Sequence, residues 1–322
     1  MYSIAIIGAG QLGSRHLQGL KLAQMPMCIQ VIDKSPESLL TARERYEQIV
    51  PNPQVTSVEY LTTIDELAPE LDLVIVATGS KPRAAILAEL LSKKQVRNLL
   101  LEKILFPDLS DYTTVGALLH QKGLIERTWV NCPRRMFVGY RQLREELRSV
   151  TRVSYEKRGP DWGLGCNAIH FIDLFSFLTG DTEIKPLDLS GLDSIIQESK
   201  RAGYVEFTGT IQGETTRGNA FKIISSIDKD ETEALIIVAD GVRYEIDEPR
   251  DSIRKDGRLW GTVGLKYQSQ LTGSVAEQIL LRDECELTPY EESAKLHLAF
   301  LKPLVTFYNE LTGKNGDNCP IT

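Results

Sequence analysis

The chain has 322 residues, 42% of them hydrophobic and 25% charged, an ordinary balance for a globular protein and too long for one typical core. Thirty-seven basic residues stand against 44 acidic ones, and the formal charge of −7 argues against broad electrostatic capture of nucleic acid or of an anionic membrane. Five cysteines, an odd number without paired metal-ligand spacing, fit a reducing cytoplasm, and neither an export leader nor an apolar stretch of membrane-spanning length is expected.

The first predicted element is the apolar run Ile4-Ala5-Ile6-Ile7, read as a buried strand. It passes into Gly8-Ala9-Gly10-Gln11-Leu12-Gly13 and then a helix from about Ser14 to Ala23. A lone Gly-x-Gly-x-x-Gly is weak evidence. Here a strand precedes it, a helix follows, and Asp33 closes a second apolar segment at the expected distance. Gly8 permits a tight turn, Gly10 lets the backbone approach a pyrophosphate, and Gly13 lets the helix pack closely on the strand, while the helix N-terminus offers N–H groups to an anion. Gln11 and Leu12 complete the loop. The Asp33 carboxylate suits a ribose 2′-hydroxyl and would repel a 2′-phosphate, which favours NAD over NADP.

Strand-like segments Cys28 to Ile32, Leu73 to Thr78 and Leu99 to Leu101 alternate with helical stretches near Pro36 to Ile49, Lys81 to Leu91 and Leu109 to Lys122. Such alternation predicts a parallel sheet covered by helices, with ligands at the carboxyl ends of its strands. Ala77, Thr78 and Gly79 form a turn expected to face the dinucleotide, as do Glu102 and Lys103 at the end of the next strand. An ammonium at that place can orient a hydroxyl, stabilise an alkoxide or relay a proton. The bland alternative is a solvent-facing Glu-Lys pair. A further apolar strand near Thr128 to Cys132 leads to a helix around Met136 to Leu147.

The pattern then changes to short segments rich in β-branched and aromatic residues, Ser149 to Tyr155, Gly203 to Thr210, Phe221 to Ser226, Ala234 to Val238 and Val242 to Ile246. Ala239-Asp240-Gly241 reads as a hairpin turn, and the whole as an antiparallel sheet. It is accompanied by a helix near Asn167 to Leu178 and two C-terminal helices, the last from about Pro289 to Leu311. Asp247 to Gly257 is expected to be a mobile loop. The predicted fold class is α/β plus α+β, a Rossmann-like region at residues 1–127 and a mainly antiparallel open sheet at 128–322, whose final strand or helix returns to the first region.

The glycine loop, Asp33, Val74 to Thr78, Glu102-Lys103 and the stretch Gly165 to Gly180 with His170 and Asp173 together resemble the Gfo/Idh/MocA oxidoreductase family over essentially the whole chain. The resemblance implies that Lys103 and His170 act beside a nicotinamide on a sugar, nucleotide-sugar, cyclitol or related polyol. Four positions depart from the pattern: Ile104 replaces the usual proline, Gly79 and Arg83 stand where proline and histidine are common, and Cys166 replaces the aspartate one turn before His170. Ile104 and Cys166 motivate an alternative reading, a non-catalytic NAD-binding sensor or assembly protein. A third reading keeps the cofactor bound through turnover.

Arg134, Trp162, Asn167 and Asp173 are the expected substrate-side residues, each with a structural reading beside it. Arg134, with Arg135 and Asn131, follows a strand and suits either an acidic substrate or a salt bridge. Trp162 offers a platform for a sugar ring or simple packing. Asn167 offers a hydrogen bond or a helix N-cap, and Asp173 is favoured as structural. No histidine pair has metal spacing. An open sheet face suggests a homodimer or homotetramer.

Overall fold

The computed structural model describes all 322 residues. Its first half runs β1 (Tyr2–Ile7), α1 (Gln11–Leu20), β2 (Met27–Ile32), α2 (Pro36–Glu47), β3 (Val55–Leu61), β4 (Glu70–Leu71), β5 (Leu73–Val76), α3 (Ser80–Lys93), β6 (Gln95–Val96), β7 (Leu99–Leu101), α4 (Leu109–Gln121), β8 (Thr128–Val130) and α5 (Val138–Glu146). There follow β9 (Val153–Pro160), α6 (Leu164–Thr179), β10 (Asp188–Leu192), β11 (Gln197–Glu198), β12 (Val205–Glu206), β13 (Gly209–Glu214), β14 (Ala220–Ser226), β15 (Ala234–Ala239) and β16 (Val242–Asp247). The chain closes with β17 (Ser252–Lys255), β18 (Arg258–Gly261), α7 (Gln268–Arg282), β19 (Thr288–Pro289) and α8 (Tyr290–Thr312).

Two compact units result, the first formed by Met1–Phe106, Asp111–Pro133 and Lys266–Glu291, the second by Pro107–Ser110, Arg134–Leu265 and Glu292–Thr322. The first holds a seven-stranded sheet in the order β19-β8-β7-β5-β1-β2-β3. All its neighbours are parallel except the β19–β8 pair. The order reverses at β1, so a crevice opens beyond the carboxyl ends of β1 and β5, where such sheets hold ligands. Ile4 to Ile7, Leu73 to Val76 and Leu99 to Leu101 are buried, which is why these strands read as continuous apolar runs and not as alternations. Helix α2 starts on Ser35, whose hydroxyl accepts from the Ser38 N–H at 3.2 Å, with Pro36 preset for the first turn.

The first unit extends past residue 127 because β8 pairs with β7 through Leu99↔Thr128 and Leu101↔Val130. Residues 266–291 come back to it from late in the chain. Helix α7 lies so close to α1 that a Cβ on Gly19 would sit 2.8 Å from Thr272 Cβ, and one on Gly273 2.7 Å from the Gly19 carbonyl.

The second unit is built on an eight-stranded sheet ordered β10-β13-β14-β9-β15-β16-β17-β18, antiparallel except for the β14–β9 pair. Helix α6 covers its inner face, with Phe175 ring centroids 5.7 Å from Tyr155 and 5.0 Å from Phe221. The segment Asp247 to Gly257, expected as a loop, contains β17, paired with β16 from Tyr244↔Lys255 to Asp247↔Ser252. Alternation hides a strand when its outward residues are mostly charged and only Ile253 is buried. The final tail stays with this unit, where the Val205 N–H donates to the Pro320 carbonyl at 2.8 Å.

Candidate active site

A ladder of backbone hydrogen bonds aligns the strand ends in the first unit. Gly8 N–H donates to Ile32 O at 2.8 Å, Ala77 N–H to Ile7 O at 2.8 Å, Glu102 N–H to Val76 O at 3.1 Å and Asn131 N–H to Leu101 O at 2.8 Å. One edge therefore carries Asp33, Gly8, Ala77, Glu102 and Asn131 in spatial order. Gly8 has φ +98°, and a Cβ there would lie 2.9 Å from the Thr78 nitrogen. A Cβ on Gly13 would lie 1.7 Å from the Gly8 carbonyl oxygen, whereas one on Gly10 would meet no protein atom within 4 Å. Helix α1 begins at Gln11, earlier than the sequence pattern suggests, and no side chain caps its N-terminus at Gly10. Gly10 and Gln11 are exposed and Leu12 half-buried, so the loop presents backbone N–H groups at an open edge, as an anion requires.

Asp33 is held from two sides, Oδ2 accepting from the Ala9 N–H at 2.7 Å and Oδ1 from the Ser35 N–H at 2.9 Å. Its remaining lone pairs suit hydroxyl donors. Arg45 of α2 steadies the loop, donating to Gln11 Oε1 at 2.6 Å and Ser14 Oγ at 2.7 Å. These observations fit a dinucleotide, with phosphates at the loop and α1 and a ribose at Asp33.

Lys103, half-buried, follows Glu102, and Glu102 points into a buried network. His16 Nε2 lies 2.8 Å from Glu102 Oε1, and His16 Nδ1 lies 3.0 Å from Thr272 Oγ1. With Nε2–H donating to the carboxylate, Nδ1 is the accepting nitrogen, facing the Thr272 hydroxyl and, at 3.3 Å, the Gln268 side-chain N–H. Asn131 Nδ2 donates to Glu102 Oε1 and, at 2.8 Å, to Gln268 Oε1. Burial works to raise the Glu102 carboxyl, but His16, Asn131 and the charge of Lys103 hold it below the ordinary carboxylate range. The other flank of Lys103 is held by fully buried Arg83, which donates to the carbonyls of Ile104, Leu105 and Thr78. The Lys103–Ile104 peptide is cis although no proline follows. Sequence reasoning left His16 without a role and did not find Gln268 or Thr272. The signal was weak, a histidine just past a glycine loop.

In the second unit α6 presents Cys166, Asn167 and His170 on one half-buried stripe and buries most of its other residues. The helix starts at Leu164, so Asn167 is inside it and not its N-cap; its Nδ2 donates back to the Trp162 carbonyl at 2.9 Å. Glu206 sits at that helix start, accepting from the Cys166 N–H at 3.2 Å, where a carboxylate complements the helix dipole. Trp162 Nε1–H donates to the Ile224 carbonyl at 2.8 Å, and its ring meets Phe171 edge-on at 5.3 Å.

The two arginines are bound internally. Arg134 grips Glu248 through two 2.8 Å hydrogen bonds and lies over the Phe171 ring. Burial works against both charges, yet the pairing raises the guanidinium above its ordinary value and, with the Tyr140 hydroxyl at 2.6 Å, holds Glu248 below the usual carboxylate range. Arg135 grips buried Asp173 through two 2.8 Å hydrogen bonds and reaches Glu292 at 2.6 Å.

Comparison with known proteins agrees with this geometry. A family described as oxidoreductases with an NAD-binding Rossmann fold matches residues 2–131. No curated protein is similar enough in sequence to count as a match. Among solved structures, UDP-N-acetylglucosamine 3-dehydrogenase GnnA from Acidithiobacillus ferrooxidans is similar, with TM-score 0.71, 15% identity, and coverage of 97% of this chain and 99% of that one. An oxidoreductase from Agrobacterium radiobacter in complex with NAD+, L-tartaric acid and magnesium has TM-score 0.70 at 13% identity, covering 96% and 97%. Myo-inositol dehydrogenase from Lactobacillus casei, in complex with NAD(H) and myo-inositol, has TM-score 0.66 at 14% identity, covering 93% and 92%. At such identities these likenesses establish the fold. No helix of the chain is long and apolar enough to cross a membrane.

Proposed function

We propose, from the family match over residues 2–131 and from the fold, that this chain is an NAD-dependent dehydrogenase or reductase of the Gfo/Idh/MocA oxidoreductase family, acting on a sugar, nucleotide-sugar or polyol-like substrate. Bound NAD supplies a hydride donor or acceptor at its nicotinamide ring. Gly8, Gly10, Gln11, Leu12, Gly13, Ala77, Thr78 and Gly79 hold the dinucleotide, and Asp33 selects NAD over NADP. Lys103 donates to the reacting oxygen, stabilising charge that develops there. His170 is the second group for proton movement, and Trp162 and Asn167 face the substrate. Arg134 and Asp173 act through the ion pairs that fix the substrate-side framework.

The observation that carries this reading is the end of β7. Lys103 stands on the same strand-end edge as the glycine loop, between the His16–Glu102–Asn131 network and the Arg83 clamp. The test is calorimetric binding of NAD to the full chain, cofactor analysis of denatured protein, and NADH formation across a panel of sugars, nucleotide sugars and cyclitols. Absence of both bound and binding NAD ends the proposal. Tight binding with no turnover across the panel would favour the non-catalytic alternative. A homodimer or homotetramer is proposed for the assembly, with light scattering as its measurement.

A further inference from the structure

We infer that Lys157, with the rings of Phe171 and Trp162, forms a subsite for a carboxylate group of the substrate, and that Glu233 occupies this ammonium until the ligand takes its place. This deepens the proposed function, on which it rests, by naming an acidic sugar or polyhydroxy acid as the substrate class.

Lysine is among the residues least often buried, yet only 5% of the Lys157 side chain is exposed. It projects from the inner face of β9. Its ammonium lies 5.1 Å from the Phe171 ring centroid and 5.7 Å from that of Trp162. These ring faces attract a cation but cannot neutralise it. Its close carboxylate is Glu233 Oε1 at 2.6 Å, and the Glu233 side chain is 58% exposed, on the connection between β14 and β15.

The neighbouring cations are built differently. Arg134 has Glu248 in a two-bond grip with Tyr140 behind it, and Arg135 has Asp173 on a buried helix face. Those partners cannot leave without stranding a buried charge. Glu233 can be exchanged, because its exposed carboxylate returns to water at little cost while the incoming carboxylate takes over the buried ammonium.

Lys157 lines a cavity of about 540 Å³ whose walls include Phe171, Leu235, Ile246 and Glu248. Around that cavity Arg243 pairs with Glu245 at 2.8 Å and Arg250 with Asp247 at 3.1 Å, exposed on both sides, whereas the Lys157–Glu233 pair joins a buried ammonium to an exposed carboxylate. A compact ammonium flanked by ring faces suits one carboxylate on a small polyol. It lacks the second fork with which arginine grips a phosphate.

The test measures binding to the full chain, with NAD present, of D-glucuronate and D-gluconate against D-glucose, D-glucitol and glucose 6-phosphate. The two carboxylates are expected to bind more tightly than the neutral compounds and the phosphate. Lys157→Met should lose that preference by about tenfold or more, the weight of a charge-assisted hydrogen bond. Lys157→Arg should retain most of it, and Glu233→Gln should strengthen carboxylate binding by removing the competitor. NAD affinity should not change in any variant. Should Lys157→Met fail to fold, Glu233→Gln alone decides, because a merely structural pair predicts no gain. Equal binding of acids and neutral compounds, no binding of either acid, preference for the phosphate, or an unaltered preference in Glu233→Gln overturns the inference. Turnover of neutral polyols with no preference for the acids, in the unaltered protein and in Lys157→Met alike, would sink the subsite while leaving the dehydrogenase reading intact. Lys157-dependent carboxylate binding without turnover would do the reverse.

Discussion

Gly10 and Gly13 belong to one loop, but alanine should act on them in opposite ways. A Cβ on Gly13 would run into the Gly8 carbonyl at 1.7 Å, so Gly13→Ala should destabilise the first unit by about 3 kcal/mol in urea unfolding. Gly10 has open space around it, so Gly10→Ala should keep the melting temperature and weaken NAD binding by about tenfold or more, read by calorimetry. If Gly10→Ala bound NAD normally, the loop would not be the phosphate cradle. Lys103→Ala should lower kcat by roughly 10²–10⁴-fold with NAD affinity unchanged, and normal turnover on a verified substrate would remove Lys103 from the chemistry. The glycines and Asp33 were legible in the chain because their requirement is local. His16 was not, because its partners Glu102 and Thr272 are 86 and 256 residues away.

At the scale of elements, α6 sets a half-buried stripe of Cys166, Asn167 and His170 beside a buried framework face. Asp173 faces Arg135 with both oxygens engaged, so Asp173→Asn should cost about 3–5 kcal/mol by leaving a buried guanidinium undercompensated. A variant with native stability and a large loss of kcat would instead put Asp173 in the reaction. The apolar content of α6 announced a helix, but its start moved from Asn167 to Leu164. The Glu206 carboxylate that meets its N-terminus comes from β12, outside any local capping pattern. Strands β9 and β14 to β16 were foreseeable from their alternation. Strand β17 was not, since pairing with β16 and not composition makes it a strand.

For the whole molecule, buried ion pairs should set the acid limit of stability. Glu248 has its carboxyl lowered in the folded state, its burial outweighed by Arg134 and Tyr140. A depressed carboxyl contributes stability that is complete above its ordinary value of 4.5 and is lost as pH falls through the folded-state value. The urea midpoint should therefore hold near neutrality and fall below about pH 4.5, and Glu248→Gln should be less stable at pH 7 with a shallower acid decline. An identical acid slope in that variant would show that other carboxylates dominate. The sequence by itself determined the parallel-then-antiparallel order and the dinucleotide loop, because hydrophobic periodicity and glycine backbone chemistry act over a few residues. Only the tertiary structure decided that residues 266–291 return to the first unit, that Arg134 and Arg135 are already paired, and that Lys157 is held by a carboxylate more than half exposed. The return depends on α7 packing against α1, and the worth of a charge depends on what the fold brings within reach of it, which spacing along the chain does not encode.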